Sequence, residues 1–194
     1  MNVPDDRTRR RAIRQTLLQR REAMDHTTLA ALHRAIAGHL AELLARLAPR
    51  SIGFTWPYRA EFDALPTVRD WLAGDEQRRA ALPVVGDKGA PMTFRIWTPD
   101  CVMAFDRYGI PYPAAGDAVT PELLLIPCNG FDARGYRLGY GAGHYDRTLA
   151  ALKSAPRTLG IAIEDGRIDD LGPQPHDIPM DWIVTEAGVF RTGR

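Results

Sequence analysis

The sequence predicts an α/β fold: a three-layer α/β/α arrangement with a mixed, mostly parallel sheet and helices on both faces. Three observations carry this. Two stretches of helical periodicity come first. Short apolar runs centred near residues 52, 84, 125, 161 and 183 then alternate with helical or turn-rich segments. The runs near 84 and 94 are joined too tightly for a parallel crossover, so the sheet cannot be wholly parallel.

Each element has its own signal. In the first helix, Arg10, Arg11 and Arg14 lie near one face, and Ile13, Leu17, Leu18 and Met24 form an apolar stripe. Asp25 or Thr27 starts the second, where Leu29, Leu32, Ile36, Leu40, Leu43, Leu44 and Leu47 recur at helical spacing until Pro49. Ser51 to Trp56 (SIGFTW) is a strand ending at Pro57, and a helix covers residues 65–74. Arg79 to Val85 and Met92 to Trp97 are strands joined by a GDKG turn. Residues 98–121 are rich in Pro, Gly and Asp without periodicity, the mark of a functional or crossing loop. Leu123 to Ile126 is a strand buried on both faces and stopped by Pro127; Tyr145 to Lys153 has helix composition. Thr158 to Ile163 is a buried strand, and Met180 to Thr185 approaches a last one with Asp181 at its head.

Composition narrows the function classes. With 194 residues, no repeat and no convincing linker, the chain reads as one domain over residues 1–194. Lys and Arg number 25 against 24 Asp and Glu, a net charge of +1 that gives no support for nucleic-acid binding. No apolar run is long enough to span a bilayer. Cys101 and Cys128 stand in no ligand spacing and read as reduced thiols. The arginine-rich start lacks the apolar core of a secretory signal, and Asp5, Asp6 and Glu22 speak against a transit peptide, so the expectation is a cytoplasmic monomer.

The chemistry concentrates between Leu123 and Leu149. After the strand come Gly130, Gly135, Gly139, Gly141 and Gly143, interleaved with Arg134, Arg137 and Arg147, and then the helix. Strand, glycine-rich loop and helix present backbone N–H groups and a helix N-terminus to an anion, because close approach to a phosphate needs residues without Cβ. Asp132 and Asp146 are candidate oxygen ligands for magnesium. Neither GxxxxGK[ST] nor GxGxxG occurs, and a long hairpin with turn glycines is the plain alternative.

The string Gly135-Tyr136-Arg137-Leu138-Gly139-Tyr140-Gly141-Ala142-Gly143-His144-Tyr145-Asp146-Arg147 resembles the signature of the 5-formyltetrahydrofolate cyclo-ligase family, G-x-R-x-G-x-G-x-G-Y-Y-D-R, with His144 in place of the first paired tyrosine. The resemblance spans almost the whole chain and implies the same three-layer fold. It implies that ATP is bound by Arg10, Arg14 and the loop residues Arg137, Leu138, Gly139, Tyr140, Gly141, Ala142, Gly143, His144 and Tyr145. Arg10-Arg11-Ala12-Ile13-Arg14 matches the family's K-x-x-L-R with arginine for lysine; on charge alone the cluster is a solvated helix face. Trp56 and Glu61 match positions that line the pterin pocket, with Tyr140 to His144 also touching the folate. The plain alternative is a half-buried core tryptophan and a solvent glutamate. Asp146 and Asp181 match the family's Mg2+ ligands, and Arg137 and Tyr145 are its candidate catalytic residues. Tyr112 stands where the family has glutamate before Pro113.

Met92, Phe94 and Trp97 are candidates for the same pocket's walls, with core packing the simpler job for at least two. His176 and Asp177 look like a dyad, but adjacent residues seldom aim at each other, and a loop-fixing role suits them better. The activity implied is ATP- and Mg2+-dependent conversion of 5-formyltetrahydrofolate, including polyglutamylated forms, to 5,10-methenyltetrahydrofolate with release of ADP and phosphate. The alternative, motivated by Arg10, Tyr112 and His144, is a divergent paralogue that binds folate or nucleotide without turnover.

Overall fold

The structure is a computed structural model and describes residues 5–193. Helix α1 (Asp6–Glu22) starts where Asp5 accepts a hydrogen bond from the Thr8 amide at 2.7 Å. Its first turn carries Asp6 and its last Arg20 and Arg21, charges that complement the helix dipole. Helix α2 (His26–Leu47) is capped by Asp25, whose two oxygens take the Thr28 amide at 2.9 Å and hydroxyl at 2.7 Å. It ends at Ala48, in the left-handed conformation (φ 43°), just before Pro49.

The strands are β1 (Ser51–Gly53), β2 (Arg79–Val84), β3 (Thr93–Trp97), β4 (Met103–Phe105), β5 (Pro111–Pro113), β6 (Ala118–Val119), β7 (Leu123–Pro127), β8 (Gly130–Phe131), β9 (Arg137–Leu138), β10 (Arg157–Ile161), β11 (Trp182–Thr185) and β12 (Gly188–Arg191). Helix α3 (Leu65–Ala73) precedes β2, and α4 (His144–Ala151) follows β9. Eight strands form one sheet in the order β12-β11-β10-β7-β1-β2-β3-β6. Strands β11, β10, β7, β1 and β2 are mutually parallel, while β12 and β3 run against their neighbours. The mixed, mostly parallel sheet is therefore as the sequence predicts.

Alternation along β7 divides the core. Leu123 and Leu125 pack with Ile36, Leu40, Leu43 and Leu44 of α2 and with Val68 and Trp71 of α3. Leu124 and Ile126 face the other way, toward Leu149 of α4, Phe94 and Ile183. The two-residue period of a strand thus serves two helical layers from one apolar run. All four of these side chains are at most 2% exposed, so truncating any of them to alanine would cost about 2–5 kcal/mol.

Several segments differ from the sequence reading. The strand predicted over residues 51–56 pairs only through Gly53, because the chain leaves the sheet toward Pro57. Residues 98–121 are not structureless: β4 and β5 form a hairpin, and β6 adds an edge to β3. The hairpin turn is held by Asp106, whose Oδ1 accepts from the Tyr108 and Ile110 amides at 2.8 and 2.9 Å. Strand β12 has no counterpart in the sequence reading; it folds back on β11 with Thr185 opposite Gly188. Met92, Phe94 and Trp97 are 6%, 2% and 3% exposed and belong to the buried core, not to a pocket wall. Both cysteines are free. Among the described residues no helix is long and apolar enough to cross a membrane.

Candidate functional site

In a parallel sheet the loops at the carboxyl ends of the strands converge, and ligands bind there. Thr55 follows β1, Pro127 ends β7 and Cys128 follows it, and Ile161 to Ile163 end and follow β10; together with Arg21, Glu61 and Phe62 they line a cavity of about 20 Å³. That is room for a water and far below the roughly 300 Å³ of a small-molecule pocket.

The glycine-rich stretch divides in two. Its first half is a hairpin, with Gly130 opposite Leu138 and Phe131 opposite Arg137. Asp132 makes this turn: its carboxylate accepts from the Arg134 and Tyr136 amides at 3.0 and 3.1 Å and from Arg134 Nη2 at 3.1 Å, and it is fully buried. A carboxylate so engaged is a structural brace, which removes Asp132 from the candidate magnesium ligands. Only residues 139–143 remain as an open loop leading into α4.

That loop has the features an anion needs. Gly143 caps α4 with φ 65°, and no side chain caps the helix, so first-turn N–H groups are left for a ligand. Arg14 crosses from α1 and donates through Nε to the Gly139 carbonyl at 2.6 Å. A Cβ at Gly141, where φ is 92°, would stand 3.1 Å from the Arg14 guanidinium. Burial, and then the neighbouring Arg10 charge, lower the Arg14 pKa.

Arg137 lies behind the loop on β9. It is 8% exposed and donates from Nη2 to Asp146 Oδ1 at 2.8 Å and from Nη1 to the Ile178 carbonyl at 2.7 Å. Asp146 Oδ1 also accepts from the Ile178 amide at 3.1 Å. The Tyr145 ring packs on the second core with the Arg137 guanidinium 5.8 Å from its centroid, and burial pushes its hydroxyl pKa up. Leu138 is buried and pairs with Gly130, while the Ala142 carbonyl accepts from Arg147 Nη1 at 2.7 Å. The His144 ring stands edge-on to Tyr108 at 6.4 Å, bringing the β4–β5 hairpin over the loop. Tyr112, on β5, pairs with Ala104 within that hairpin.

Glu61 is 7% exposed, so the solvent-glutamate alternative fails. Its Oε1 accepts from the Tyr140 hydroxyl at 3.0 Å and its Oε2 from the Tyr58 amide at 3.0 Å. Burial raises its pKa, opposed by the Arg21 charge and by these hydrogen bonds. Trp56 is half-buried against the first core.

Two further candidates are placed elsewhere. Asp181 stands at the entry to β11, and its Oδ2 accepts from the Thr158 amide at 2.7 Å and hydroxyl at 2.8 Å. Thr158 lies at the start of β10, so this carboxylate serves the amino ends of the parallel strands, opposite the cavity. Asp181 is thus held on Thr158, while Asp146 is held by Arg137 and the Ile178 amide. Arg10 donates to Asp177 Oδ2 at 2.6 Å, in a pair whose side chains are 15% and 9% exposed. Asp177 also accepts from the Gln174 amide at 2.8 Å; burial raises its pKa, but the Arg10 and Gln174 bonds outweigh that and leave it low. Asp177 is thus the loop-fixing residue, and His176 beside it is exposed.

Two residues escape a reading of the sequence. Arg21 donates from Nε to the Arg59 carbonyl and from Nη2 to the Tyr140 hydroxyl, both at 3.0 Å. Asn129, 6% exposed at the end of the central strand, has a carboxamide without a hydrogen-bond partner among the described residues. Neither carries a local sequence signal, since an arginine in a last helical turn and an asparagine after a strand are both ordinary.

Residues 6–186 match the model of the 5-formyltetrahydrofolate cyclo-ligase family. The chain is 25% identical over 182 residues to a 5-formyltetrahydrofolate cyclo-ligase of Mycolicibacterium smegmatis, covering 89% of this chain and 91% of that one. It is 31% identical over 143 residues to the Escherichia coli enzyme of the same name, covering 69% and 76%. The solution structure of Aquifex aeolicus 5,10-methenyltetrahydrofolate synthetase superposes with a TM-score of 0.81 at 26% identity, over 95% of this chain and 93% of that one. With the family model matching nearly the whole chain and the fold shared, the chain belongs to the 5-formyltetrahydrofolate cyclo-ligase family of enzymes.

Proposed function

We propose that the protein converts 5-formyltetrahydrofolate to 5,10-methenyltetrahydrofolate, consuming ATP and releasing ADP and phosphate. The observation that supports this most directly is the uncapped glycine-rich loop before α4, reached from the first helix by Arg14 and backed by Arg137, which grips Asp146 in the first turn of α4. A formyl oxygen on an amide-like nitrogen is a poor leaving group. It therefore attacks the γ-phosphorus of ATP, ADP departs, and an N5-iminium phosphate results. N10 then attacks the activated carbon, loses its proton, and phosphate leaves. Little covalent work falls to the protein. Its task is to hold the γ-phosphate beside the formyl oxygen and to neutralise charge as it develops.

The chain's residues divide that task. Loop amides from Gly139 to Gly143 and the first turn of α4 hold phosphate oxygens, with Arg14 and Arg137 supplying charge. Glu61 and Trp56 receive the pterin, the first as an acceptor for N–H groups and the second as an apolar wall. Magnesium fits the donor set through Asp146 alone: Oδ1 takes both hydrogen bonds, so Oδ2 remains for a cation. No cluster of three or more acidic, His or Cys ligands exists among the described residues, as suits an ion that takes one or two carboxylates and completes its shell with phosphates and water. When bound, magnesium supplies charge neutralisation on the polyphosphate. The setting we propose is a cytoplasmic monomer.

The pairing of Arg10 with Asp177 favours a second reading, a folate- or nucleotide-binding paralogue without turnover. Product absorbance separates the two. Methenyltetrahydrofolate formed only with ATP and magnesium supports the enzyme, and tight folate binding without product supports the paralogue.

A further inference from the structure

Helix α1 sends into the cleft a cation that no direct ion pair accounts for. Arg21 is 8% exposed, and among the described residues no carboxylate lies within ion-pairing distance of it. Burying a guanidinium that way is unfavourable unless its donors are used. They are used on two acceptors, and both belong to the surroundings of Glu61.

The first acceptor is the Arg59 carbonyl, bound by Nε at 3.0 Å. Arg59 and Ala60 have φ of 50° and 57°, two successive left-handed residues that carry a Cβ. Such backbone persists only where its surroundings over-determine it. Here the turn is closed by the Glu61 amide on the Tyr58 carbonyl at 3.1 Å and by the Tyr58 amide on Glu61 Oε2. The Arg59 side chain also grips Glu22 at 2.5 and 2.8 Å. The last turn of α1 therefore holds this strained turn twice, by its backbone through Arg21 and by its side chain through Glu22. The second acceptor is the Tyr140 hydroxyl, which receives from Arg21 Nη2 and gives to Glu61 Oε1, each at 3.0 Å.

We infer that Arg21 is a positioning residue for folate recognition: through the Arg59 carbonyl and the Tyr140 hydroxyl it fixes the Glu61 carboxylate as a preformed acceptor for the N–H edge of the pterin. The inference rests on the folate reading of this cleft. The Tyr140 hydroxyl stands on Oε1 where a substrate N–H would, so the substrate exchanges one donor for another on an acceptor already in place. A guanidinium suits the job because its fork spans two acceptors at fixed spacing, which an ammonium on a flexible stem does not.

Steady-state methenyltetrahydrofolate formation by the full chain, with KM measured separately for 5-formyltetrahydrofolate and MgATP, tests this in Arg21→Met, Arg21→Lys and Glu61→Gln. Loss of hydrogen bonds that orient a charged group predicts a rise of about 10- to 100-fold in folate KM for Arg21→Met and Glu61→Gln, with ATP KM within about twofold. Arg21→Lys falls between wild type and Arg21→Met. The double variant Arg21→Met/Glu61→Gln is no worse than Glu61→Gln, because Arg21 acts through that carboxylate. A folded Arg21→Met enzyme with wild-type folate KM, or with both KM values raised alike, overturns the inference. If Arg21→Met does not fold, a wild-type folate KM in Arg21→Lys does so. Failure of Glu61→Gln to raise folate KM instead removes the folate reading of the cleft, and the inference with it.

Discussion

Arg137 Nη2 and Asp146 Oδ1 meet at 2.8 Å, joining the strand before the glycine-rich loop to the first turn of the helix after it. The pair fixes the distance between the two ends of the loop, and with it the spacing of any phosphate contacts. Arg137→Ala should lower turnover about 100-fold or more, the order found for lost donors to developing charge. It should also cost about 1–3 kcal/mol of stability by leaving a mostly buried carboxylate underused. Single-turnover product formation and a urea titration read the two effects separately; unchanged turnover would take Arg137 out of the site.

Asp146 and Asp181 are both acidic residues of the signature elements, but their surroundings differ, and so should their variants. Asp146→Asn is expected to raise the magnesium concentration needed for half-maximal turnover. Asp181→Ala should leave that requirement unchanged and lower stability by about 1–3 kcal/mol, because it strands the buried Thr158 amide and hydroxyl. A magnesium titration of the two variants decides the assignment, and equal shifts in both would restore Asp181 to the metal.

His33 should make stability fall in mild acid. Its ring is half-buried edge-on to Phe62 at 5.6 Å, and Nε2 is without a partner among the described residues. Burial lowers its pKa below the ordinary 6.5, helped by the Arg21 charge and partly opposed by Asp63. The unfolded chain then binds the proton more readily than the native one, so stability is lost as pH falls through about 6.5. Melting temperatures from about pH 7.5 to 5.5 should decline less steeply for His33→Leu than for wild type. Parallel profiles would show that His33 does not contribute.

Tyr140→Phe removes the hydroxyl that satisfies both Arg21 Nη2 and Glu61 Oε1. The unliganded variant should lose about 1–3 kcal/mol. The melting shift produced by 5-formyltetrahydrofolate should then fall below that of wild type, because the hydroxyl through which Arg21 holds the Glu61 carboxylate is gone. An unchanged or larger shift would show that the hydroxyl does not position that carboxylate.

The parts of this molecule legible in its sequence are those with a period or a cap. Ile36, Leu40, Leu43 and Leu44 announce α2, and Leu123 to Ile126 announce a strand covered on both faces. Strands β4, β5 and β6 stay hidden because two or three residues, with Pro111 and Pro113 among them, give no alternation to count. In the site, the glycine string is readable from its residue types, and Glu61 only through the family resemblance, since a lone glutamate after a strand is ordinary. Asp132, Asp181 and Arg10 are open to misreading, because a carboxylate or guanidinium looks the same in sequence whether it waits for a ligand or is spent on Tyr136, Thr158 or Asp177. Arg21 is invisible for the converse reason, since its acceptors lie 38 and 119 residues away.

Helix α1 contributes little to the apolar core, with Leu18 its only buried hydrophobic residue, yet its arginines bond Gly139, Tyr140, Asp165, Asp170 and Asp177. During synthesis α1 emerges from the ribosome long before the segments that receive it. The cleft cannot form before that docking, and the sheet itself is incomplete until β11 and β12 have followed, so the cleft is assembled only when nearly the whole chain is present.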